Sequence, residues 1–422
     1  MNYLNKEIVV IGLGYVGLPL AVKLSTNFRV IGYDISPNRI KELKDFTDST
    51  KEIKKSVLKK AKNILFTSEK SNISNKYIYI ITVPTPVKKN KLPDLSLLKN
   101  ACKLVGKNIN KGAIIIFEST VYPGVTENIC APIIAKESKF NLNEGYYLGY
   151  SPERINPGDN KHSLDKIIKV VSGSDKRITK IIGKIYETII TAGVFYAKSI
   201  EVAETAKAIE NAQRDINIAF VNEVSLLCQK LNISVYDVLS AAKTKWNFLP
   251  FQPGLVGGHC IGVDPYYLAH IAKKLNSSSD VILSGRRLND RMTGIVFKEI
   301  QKQITKGSRI LQIGISFKEN VPDIRNSKSA ELAQLFIEKR YKIDIHDPVV
   351  NPKEVKSEFG LTLSKLSGKY DYIIIAVAHD FIYKNSINIL KYAKKSSTVF
   401  DITGKFKKQL SKNNIKYWSL WI

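Results

Sequence analysis

The length and composition of the chain indicate a globular protein of more than one domain. Its 422 residues exceed one ordinary hydrophobic core, so we expect two or three domains. A hydrophobic fraction of 44% and a charged fraction of 24% are typical of soluble proteins. We find neither a signal peptide nor an apolar run of the ~20 residues that cross a membrane. These features predict a cytoplasmic protein without a membrane partner.

Charge and cysteine usage exclude several kinds of site. The net charge is +27, but Lys far outnumbers Arg and no basic block dominates. We therefore expect attraction for an anionic substrate and no specific nucleic-acid partner. The four cysteines and five histidines are dispersed, without a CxxC pair. This pattern argues against a disulfide framework and against a structural metal site.

The N-terminal segment contains a dinucleotide-binding fingerprint. An apolar run at residues 7–11 predicts a buried parallel strand. It leads into GLGYVG at residues 12–17, a helix over Leu18 to Leu24, and a second strand from Phe28 that ends at Asp34. A GxGxxG between a strand and a helix, with an acid about twenty residues later, is the signature of a Rossmann domain.

Each residue of the fingerprint has a physical role. Gly12 makes the tight turn, Gly14 lets the backbone approach a pyrophosphate, and Gly17 allows close packing of helix and strand. Asp34 is expected to accept hydrogen bonds from ribose hydroxyls and to repel a 2′-phosphate, which favours NAD over NADP. Arg39 lies a few residues further on and leaves this preference open.

Three further predicted strands end in polar or proline-containing loops. The loops are VPTP at residues 83–86, EST at 118–120 and SPER at 151–154. In an open α/β sheet, ligands bind at the carboxyl ends of the strands. Thr82, Thr85, Thr120 and Glu153 are therefore candidates for a cleft. Ordinary turn and capping chemistry is the alternative for each of them.

A long helix is predicted from Ile200 to Leu231, because this stretch contains neither Pro nor Gly. Lys207 and Asn211 lie one turn apart on one face of it. A helix of this length is expected to bridge two domains and to carry a dimer contact. For Lys207 the alternative is a surface ion pair with Glu204, which would be worth a few tenths of a kcal/mol.

Residues 251–268 contain one cysteine behind a glycine pair. Asp264 and Pro265 are predicted to be the N-cap and first residue of a helix. A thiol just before a helix N-terminus lies in positive potential, which favours the nucleophilic thiolate of Cys260. The alternative is a glycine-rich turn with a buried, inert cysteine.

The C-terminal third repeats the strand–helix–strand pattern. A strand at residues 308–315, a helix at 329–339 and a strand ending before Asp347 are followed by an apolar strand at 370–377. The glycine fingerprint is missing after Ile315, so this Rossmann-like domain is not expected to hold a whole dinucleotide. Lys318, at the strand end, is suited to hold a phosphate. We predict two doubly wound Rossmann-like α/β domains joined by a long central helix, with boundaries at 1–198, 199–300 and 301–422.

The chain resembles the UDP-sugar 6-dehydrogenases of the UDP-glucose/GDP-mannose dehydrogenase family over essentially its whole length. The resemblance rests on seven motifs in family order: GLGYVG at 12–17, VPTP at 83–86, ESTV at 118–121, SPER at 151–154, AETAK at 203–207, GGHC at 257–260 and GISFK at 314–318. The stretch from Gly254 to Tyr267 resembles the branch that oxidises UDP-N-acetylhexosamines. UDP-glucose enzymes typically carry Lys at the position of Val263.

This resemblance implies a four-electron oxidation of the sugar C6 alcohol by two NAD, through a thiohemiacetal and a thioester on the cysteine. The implied catalytic residues are Cys260, Lys207, Asn211, Asp264, Glu153 and Thr120. The implied NAD-binding residues are Gly12, Gly14, Tyr15, Val16, Gly17, Asp34, Thr85, Thr120 and Arg325. The implied UDP-sugar-binding residues are Glu153, Arg154, Lys207, Asn211, Phe248, Gly254, Gly257 and Lys318.

Several alternatives remain open at this point. The leading substrates are UDP-GlcNAc and UDP-GalNAc, serving surface polysaccharide synthesis such as capsule or O-antigen. UDP-glucose and UDP-ManNAc are rival substrates. A two-electron dehydrogenase would not need Cys260, and a non-catalytic nucleotide-sugar or NAD-binding module would not need Lys207 or Asp264. The sequence does not choose the sugar configuration.

Overall fold

The computed structural model describes residues 2–88, 90–155, 163–258, 261–384, 389–410 and 415–420. The chain forms two compact units. The first comprises Met1–Glu210 with Tyr266–Ser278, and the second comprises Asn211–Pro265 with Ser279–Ile422. The predicted nucleophile, Cys260, lies outside the described residues. The three predicted domain boundaries stay a prediction.

The first unit is built on an eight-stranded sheet with the order β3-β2-β1-β4-β5-β6-β7-β8. All neighbouring strands are parallel except β6 and β7, which are antiparallel. The strands are β1 (Ile8–Ile11), β2 (Val30–Tyr33), β3 (Ile64–Thr67), β4 (Lys76–Ile81), β5 (Ile109–Phe117), β6 (Tyr146–Tyr150), β7 (Lys169–Gly173) and β8 (Val194–Tyr196).

Helices cover this sheet. They are α1 (Gly17–Leu24), α2 (Pro37–Lys44), α3 (Lys55–Lys60), α4 (Ser96–Gly106), α5 (Ala131–Ser138) and α6 (Lys176–Glu187). The central strand β1 is apolar and buried along its whole length, as expected where both faces of a sheet are covered. Its side chains pack with α1 and α6 in one core cluster. The strand order reverses at β1, which places the ligand-binding edge at the carboxyl ends of β1 and β4.

Helix α7 (Ile200–Lys230) passes from the first unit into the second. The prediction of a long central helix is therefore confirmed. In the described part of the chain, no helix has the length and apolar character needed to cross a membrane.

The second unit carries a five-stranded parallel sheet with the order β10-β9-β11-β12-β13. The strands are β9 (Arg309–Ile313), β10 (Lys342–His346), β11 (Tyr370–Ile375), β12 (Ala393–Asp401) and β13 (Lys416–Trp418). The remaining helices are α8 (Val235–Ala242), α9 (Asp264–Lys274), α10 (Asp280–Gln301), α11 (Lys328–Glu338), α12 (Pro352–Phe359), α13 (Asp380–Lys384) and α14 (Lys407–Leu410). The two Rossmann-like sheets confirm the predicted fold class.

Candidate active site

The glycine turn after β1 has the geometry that a pyrophosphate requires. Gly12 has a φ of +94°, a conformation that favours glycine. The Thr82 hydroxyl donates to the Gly12 carbonyl at 2.7 Å, and a Cβ on Gly17 would overlap both of these groups. At Gly14, by contrast, a Cβ would meet nothing within 4 Å. The turn therefore has no room for a side chain at Gly17, whereas the space at Gly14 is open to an approaching phosphate. This geometry fits a dinucleotide.

Thr82, which the sequence suggested as a cleft residue, uses its hydroxyl to bond this turn. Its hydroxyl also contacts the Ile11 carbonyl at 3.0 Å, so turn chemistry accounts for it. Tyr15 and Val16, the other predicted residues of the fingerprint, are half-buried within the turn. Their contact with a cofactor stays a prediction.

Asp34 lies at the end of β2, where an acid that binds ribose is expected. Its two carboxylate oxygens accept from the amides of Leu13 at 2.8 Å and Ser36 at 2.9 Å, which fixes the side chain. Arg39 donates through Nε to the Leu13 carbonyl at 2.9 Å and pairs with Asp48 at 2.8 Å. Because the Arg39 guanidinium is already paired, it is less available to a 2′-phosphate, which supports NAD as the cofactor.

The loops after β4 and β5 are bound to each other. The Thr85 hydroxyl donates to the Thr120 carbonyl at 2.5 Å, and the Ser119 hydroxyl donates to the Val83 carbonyl at 2.6 Å. The Tyr267 hydroxyl of α9 donates to the Thr85 carbonyl. The structure thus brings together Thr85 and Thr120, two predicted site residues, at the edge where ligands bind.

Lys207 on α7 is a buried cation that has no partner among the residues that the structure describes. Its exposed fraction is 7%, and it forms no hydrogen bond or ion pair with any residue that the structure describes. The alternative of a surface pair with Glu204 is wrong. Glu204 is fully buried and accepts from the amides of Gly124 at 2.6 Å and Thr126 at 2.9 Å. A buried ammonium without a counter-charge is costly, so Lys207 is suited to bind a negative oxygen of a ligand.

One turn further along α7, Asn211 binds Asp264. The Asn211 amide donates to Asp264 Oδ2 at 2.5 Å, and Asp264 is 1% exposed. Helix α9 begins at Asp264, one residue earlier than predicted. Two predicted catalytic residues that are distant in sequence are therefore in direct contact. The Cys260 segment immediately before this helix is not described.

Glu153 and Arg154 lie in the loop after β6. Glu153 is buried, and its Oε1 accepts from the amides of Arg154 and Ile155, both at 2.7 Å. Arg154 pairs with Glu210 of α7, with Nε–Oε2 and Nη2–Oε1 distances of 3.1 and 2.8 Å. The Arg154 side chain therefore fastens this loop to the helix that carries Lys207. Its contact with substrate stays a prediction.

Sequence reasoning missed two charged residues behind Glu153. Lys169 of β7 reaches both Glu153 at 3.1 Å and Glu118 at 2.9 Å, and all three side chains are buried. A signal was present, because Lys169 interrupts an apolar run of Ile and Val. A lysine within such a run needs a buried partner.

The second unit contains a cavity of about 350 Å³. Gly254, Gly257 and Lys318, all predicted to bind UDP-sugar, line it together with Lys328 and Lys405. Phe248 is half-buried against the hydrophobic core of this unit. Arg325 pairs with Asp323, with an Nη2–Oδ2 distance of 2.5 Å. Lys405 pairs with Glu319, which also lines the cavity, and Lys328 pairs with Glu331. Because three lysines and one glutamate line it, the cavity has a net positive charge, which suits an anionic group such as a diphosphate.

A buried polar network, also missed from sequence, supports this cavity. The Asn222 side chain accepts from the Gly254 amide at 2.8 Å and donates to the Gly254 carbonyl at 3.0 Å. It also donates to Asn289 at 2.9 Å, and Asn289 in turn donates to Asp215 at 2.8 Å. Because these side chains are buried, the network fixes the loop that carries Gly254. Among the described residues, no group of three or more His, Cys, Asp or Glu is arranged to hold a metal ion.

Comparison with known proteins matches three consecutive ranges of the chain to one family. The NAD-binding domain of the UDP-glucose/GDP-mannose dehydrogenase family matches residues 6–190, its central domain 201–291 and its UDP-binding domain 311–408. The UDP-N-acetyl-D-glucosamine 6-dehydrogenases of Salmonella typhi and Pseudomonas aeruginosa are 47% and 45% identical to this chain. Each alignment covers 94% of this chain and 95% or 96%, respectively, of the relative.

A solved structure shows the same likeness. The UDP-D-ManNAc dehydrogenase of Pyrococcus horikoshii superposes with a TM-score of 0.85 at 26% identity, covering 97% of this chain and 98% of that one. The three matched ranges take in strands β1–β7 of the first sheet, most of the second sheet and nearly all of helix α7. The chain belongs to the UDP-glucose/GDP-mannose dehydrogenase family and is an NAD-dependent UDP-sugar dehydrogenase.

Proposed function

We propose that this enzyme oxidises the C6 hydroxyl of UDP-N-acetylglucosamine to a carboxylate, supplying a uronic acid for surface polysaccharide synthesis. The two relatives above act on this sugar by name. The observation that carries the proposal is the buried Lys207 ammonium without a partner among the described residues, one turn from the Asn211–Asp264 pair. Such a site needs an oxygen that becomes negative during the reaction.

The proposed reaction runs through a covalent adduct on Cys260. NAD, which the turn from Gly12 to Gly17 and Asp34 would hold, would supply the hydride acceptor for each of the two oxidations. The first oxidation gives an aldehyde, to which the Cys260 thiolate adds as a thiohemiacetal, and the second gives a thioester. Water then cleaves the thioester and releases the thiolate. In total, one alcohol and one water become a carboxylate, two hydrides and three protons.

The side chains on α7 and α9 have complementary roles in this scheme. Lys207 stabilises negative charge on the C6 oxygen, and Asn211 assists as a neutral donor. Asp264 positions or deprotonates the water, directly or through Lys207. Glu153 and Thr120 are assigned to the reacting centre and its water. Because the Asn211 amide binds Asp264 at 2.5 Å, the donor assigned to the C6 oxygen and the acid assigned to the water are in direct contact.

The UDP group is proposed to bind in the cavity of the second unit. Lys318, Lys328 and Lys405 outnumber the single acid, Glu319, at its wall. Gly254 and Gly257 let the backbone approach the ligand. A Cβ on Gly257 would lie 2.7 Å from the Asn326 carbonyl oxygen. The glycine is thus required by the fold as well as suited to the ligand.

A homodimer through α7 is the proposed assembly of the enzyme in the cytoplasm. Four apolar side chains on α7 are exposed, Val202, Ile209, Phe220 and Leu227, and so is Leu231 directly after the helix. Spacings of seven, eleven and seven residues keep the four on one face of the helix. Light scattering tests this proposal. A dimer mass that falls to a monomer mass in Phe220→Glu would support it, and a monomeric wild-type protein would contradict it.

The first test of function is the yield of NADH per sugar with UDP-GlcNAc, UDP-GalNAc, UDP-ManNAc and UDP-glucose in parallel. We expect two NADH per UDP-GlcNAc consumed, and no steady-state production of the uronic acid by Cys260→Ala. Cys228→Ala is the matched control because Cys228 is buried and has no assigned role. One NADH per sugar would remove the role of Cys260, and preference for another sugar would change the substrate.

A further inference from the structure

Four side chains in the first unit, Lys169, Glu118, Glu153 and Tyr186, form a buried cluster of which the proposed reaction uses only Glu153. Lys169 is 3% exposed. Its Nζ lies 2.9 Å from Glu118 Oε2, 3.1 Å from Glu153 Oε2 and 3.3 Å from the Pro152 carbonyl oxygen. The Tyr186 hydroxyl of α6 donates to Glu118 Oε1. The Lys169 ammonium on β7 therefore contacts two buried carboxyl groups, one in the loop after β5 and one in the loop after β6.

The two carboxyl groups differ in the other donors that they receive. Glu153 Oε1 accepts from two backbone amides, Arg154 and Ile155, at 2.7 Å each. No backbone amide of a described residue donates to Glu118. Hydrogen bonds to the charged form of a carboxyl group favour that form. The local donors therefore favour ionisation of Glu153 over ionisation of Glu118.

The acidities of the two groups diverge accordingly. Burial raises the pKa of Glu118 to about 7, although the Lys169 charge acts against this rise. Burial also acts to raise the pKa of Glu153, but the Lys169 ammonium and the two amides outweigh it and lower the pKa below its ordinary value. A proton entering this cluster is thus held by Glu118, and Glu153 stays ionised.

We propose that Lys169 is a positioning residue that keeps Glu153 a fixed, ionised hydrogen-bond acceptor, with Glu118 and Tyr186 holding the ammonium from the other side. This inference rests on the proposed function, which assigns Glu153 to the reacting centre and its water. An ionised carboxylate can only accept hydrogen bonds, so it orients a water molecule with its lone pair free to attack a thioester. A protonated carboxyl group would also donate and would lose this selectivity.

Within the described part of the chain, no other cation is placed to replace Lys169 beside the Glu153 carboxylate. Arg154 is directed to Glu210 of α7 in a two-point ion pair. Among the described residues, Lys169 is the only cation within ion-pair distance of the Glu153 carboxylate. Tyr186 faces Glu118, and its own pKa is raised by burial and by the Glu118 charge. Removal of Lys169 therefore acts on Glu153 without a substitute cation.

The kinetic test is Lys169→Met in the full-length enzyme. We expect kcat to fall about 100-fold because the acceptor is no longer held in place, with little change in KM for the UDP-sugar. The acid limb of the kcat profile should move to higher pH by about one to three units, the usual effect of losing an adjacent opposite charge. Lys169→Arg should return the acid limb of the kcat profile to its wild-type pH, because this variant keeps the positive charge. Lys166→Met, at an exposed lysine three residues away, is the matched control.

Two additions keep the test decisive. If Lys169→Met does not fold with two unpaired carboxyl groups, the Lys169→Met/Glu118→Gln double variant leaves one acid in the cluster and is measured instead. Independently of turnover, the carboxyl ¹³C resonance of Glu153, assigned with Glu153→Gln, should stay in the ionised position from pH 5 to 8 in the wild type. It should titrate within this range when Lys169 is absent.

The outcomes separate this inference from the proposed function. Parallel kcat profiles in wild type and Lys169→Met, or a Glu153 resonance that is unaffected by the loss of Lys169, would overturn the positioning role. Absence of turnover with every UDP-sugar would remove the proposed function, whereas a shifted Glu153 titration would still establish that Lys169 controls this carboxylate.

Discussion

The two Rossmann-like sheets make the same turn after their first strand and then use it differently. In the first unit, the Gly12 amide donates to the Tyr33 carbonyl at 2.8 Å, and the next amide, of Leu13, donates to Asp34 at 2.8 Å. In the second unit, the Gly314 amide donates to the His346 carbonyl at 2.9 Å, and the Ile315 amide donates to Asp347 at 2.8 Å. Both glycines have positive φ, +94° and +87°.

The difference lies in what faces the acid. Asp34 is half-buried and its second oxygen accepts from the Ser36 amide, so part of the carboxylate remains available to a ribose. Asp347 is buried, and its Oδ2 also contacts Nε2 of the buried His379 at 3.2 Å. On the other side of the ring, Nδ1 of His379 accepts from the Asn320 amide at 2.9 Å. Asp34 therefore keeps hydrogen-bonding capacity for a ligand, whereas Asp347 holds the loop that carries Lys318.

The strongest test of this shared turn is Gly314→Ala. A Cβ there would lie 2.5 Å from Val377 Cβ and 2.9 Å from the Val377 amide nitrogen, at a positive φ. We expect a loss of about 4 kcal/mol of unfolding free energy from combined strain and overpacking. Gly12→Ala should cost about half as much, because its Cβ would approach Val83 Cγ1 only to 3.3 Å. Urea unfolding measures both.

Gly360→Ala is the matched control for Gly314→Ala. Gly360 also has positive φ, +69°, but a Cβ there would meet nothing within 4 Å. It isolates the backbone strain, about 1 kcal/mol. If Gly314→Ala were no more destabilising than Gly360→Ala, the close approach of β9 and β11 would not be what fixes this turn.

His379→Ala tests the role of the second acid. We expect a loss of about 2 to 3 kcal/mol of unfolding free energy, because Asp347 and the Asn320 amide each lose a buried partner. UDP affinity should fall about tenfold, a cost near 1.4 kcal/mol, since the loop from Ser316 to Asn320 is no longer held. NAD affinity should not change. Calorimetric titration with UDP and NAD measures both affinities.

The control for this variant is His346→Ala. His346 bonds the Ser364 carbonyl through Nδ1 at 3.0 Å and does not contact the Lys318 loop. An equal loss of UDP affinity in His346→Ala would indicate a general effect on the second unit, and the specific role of His379 would be rejected.

Much of the fold and part of the candidate site could be predicted because their signals are local. Apolar runs followed by glycine or an acid identified both Rossmann-like halves. Lys207 and Asn211 were identified by helical spacing and by resemblance, and the structure places Asn211 against Asp264. Gly314 was not recognised as the counterpart of Gly12, because the second and third glycines of the fingerprint are absent after it.

The remaining features depend on tertiary contacts. Strand β7 was not predicted, since Lys169 interrupts its apolar pattern and its antiparallel pairing with β6 has no local sign. The partners of Lys169 come from positions 51 and 16 residues earlier in the chain. The Asn222–Asn289–Asp215 network likewise joins α7 to α10 across a long separation. No periodicity encodes such pairs.

Gly14→Ala should separate ligand binding from folding in the first unit. A Cβ there would meet no protein atom within 4 Å but would point to where a pyrophosphate approaches. We expect NAD affinity to fall about tenfold, a cost near 1.4 kcal/mol, with the melting temperature and UDP affinity unchanged. A drop in melting temperature without a change in NAD affinity would contradict the assignment of this turn to the cofactor.

The smallest expected effect compares two buried carboxylates, Glu204 with two backbone amide donors and Asp347 with three. Burial raises the pKa of Glu204 to about 7 from its ordinary 4.5. Folding therefore takes up a proton between these values, and the contribution of Glu204 to stability falls as pH rises from about 4.5 to 7. For Asp347, burial acts to raise the pKa, but His379 and the amides outweigh it and lower the pKa below 3.8. Its stabilising contribution is present above pH 3.8 and is lost on further acidification.

Unfolding free energies from pH 3 to 8 should show these opposite slopes in two variants that control each other. Glu204→Gln should flatten the decline between pH 4.5 and 7 and leave the acid side unchanged. Asp347→Asn should reduce the acid loss and leave the neutral range unchanged. If either variant changed stability in both pH ranges, or in neither, the pH dependence would not come from these two carboxylates. The contact of His379 with Asp347 would then not explain why the two carboxylates respond oppositely to pH.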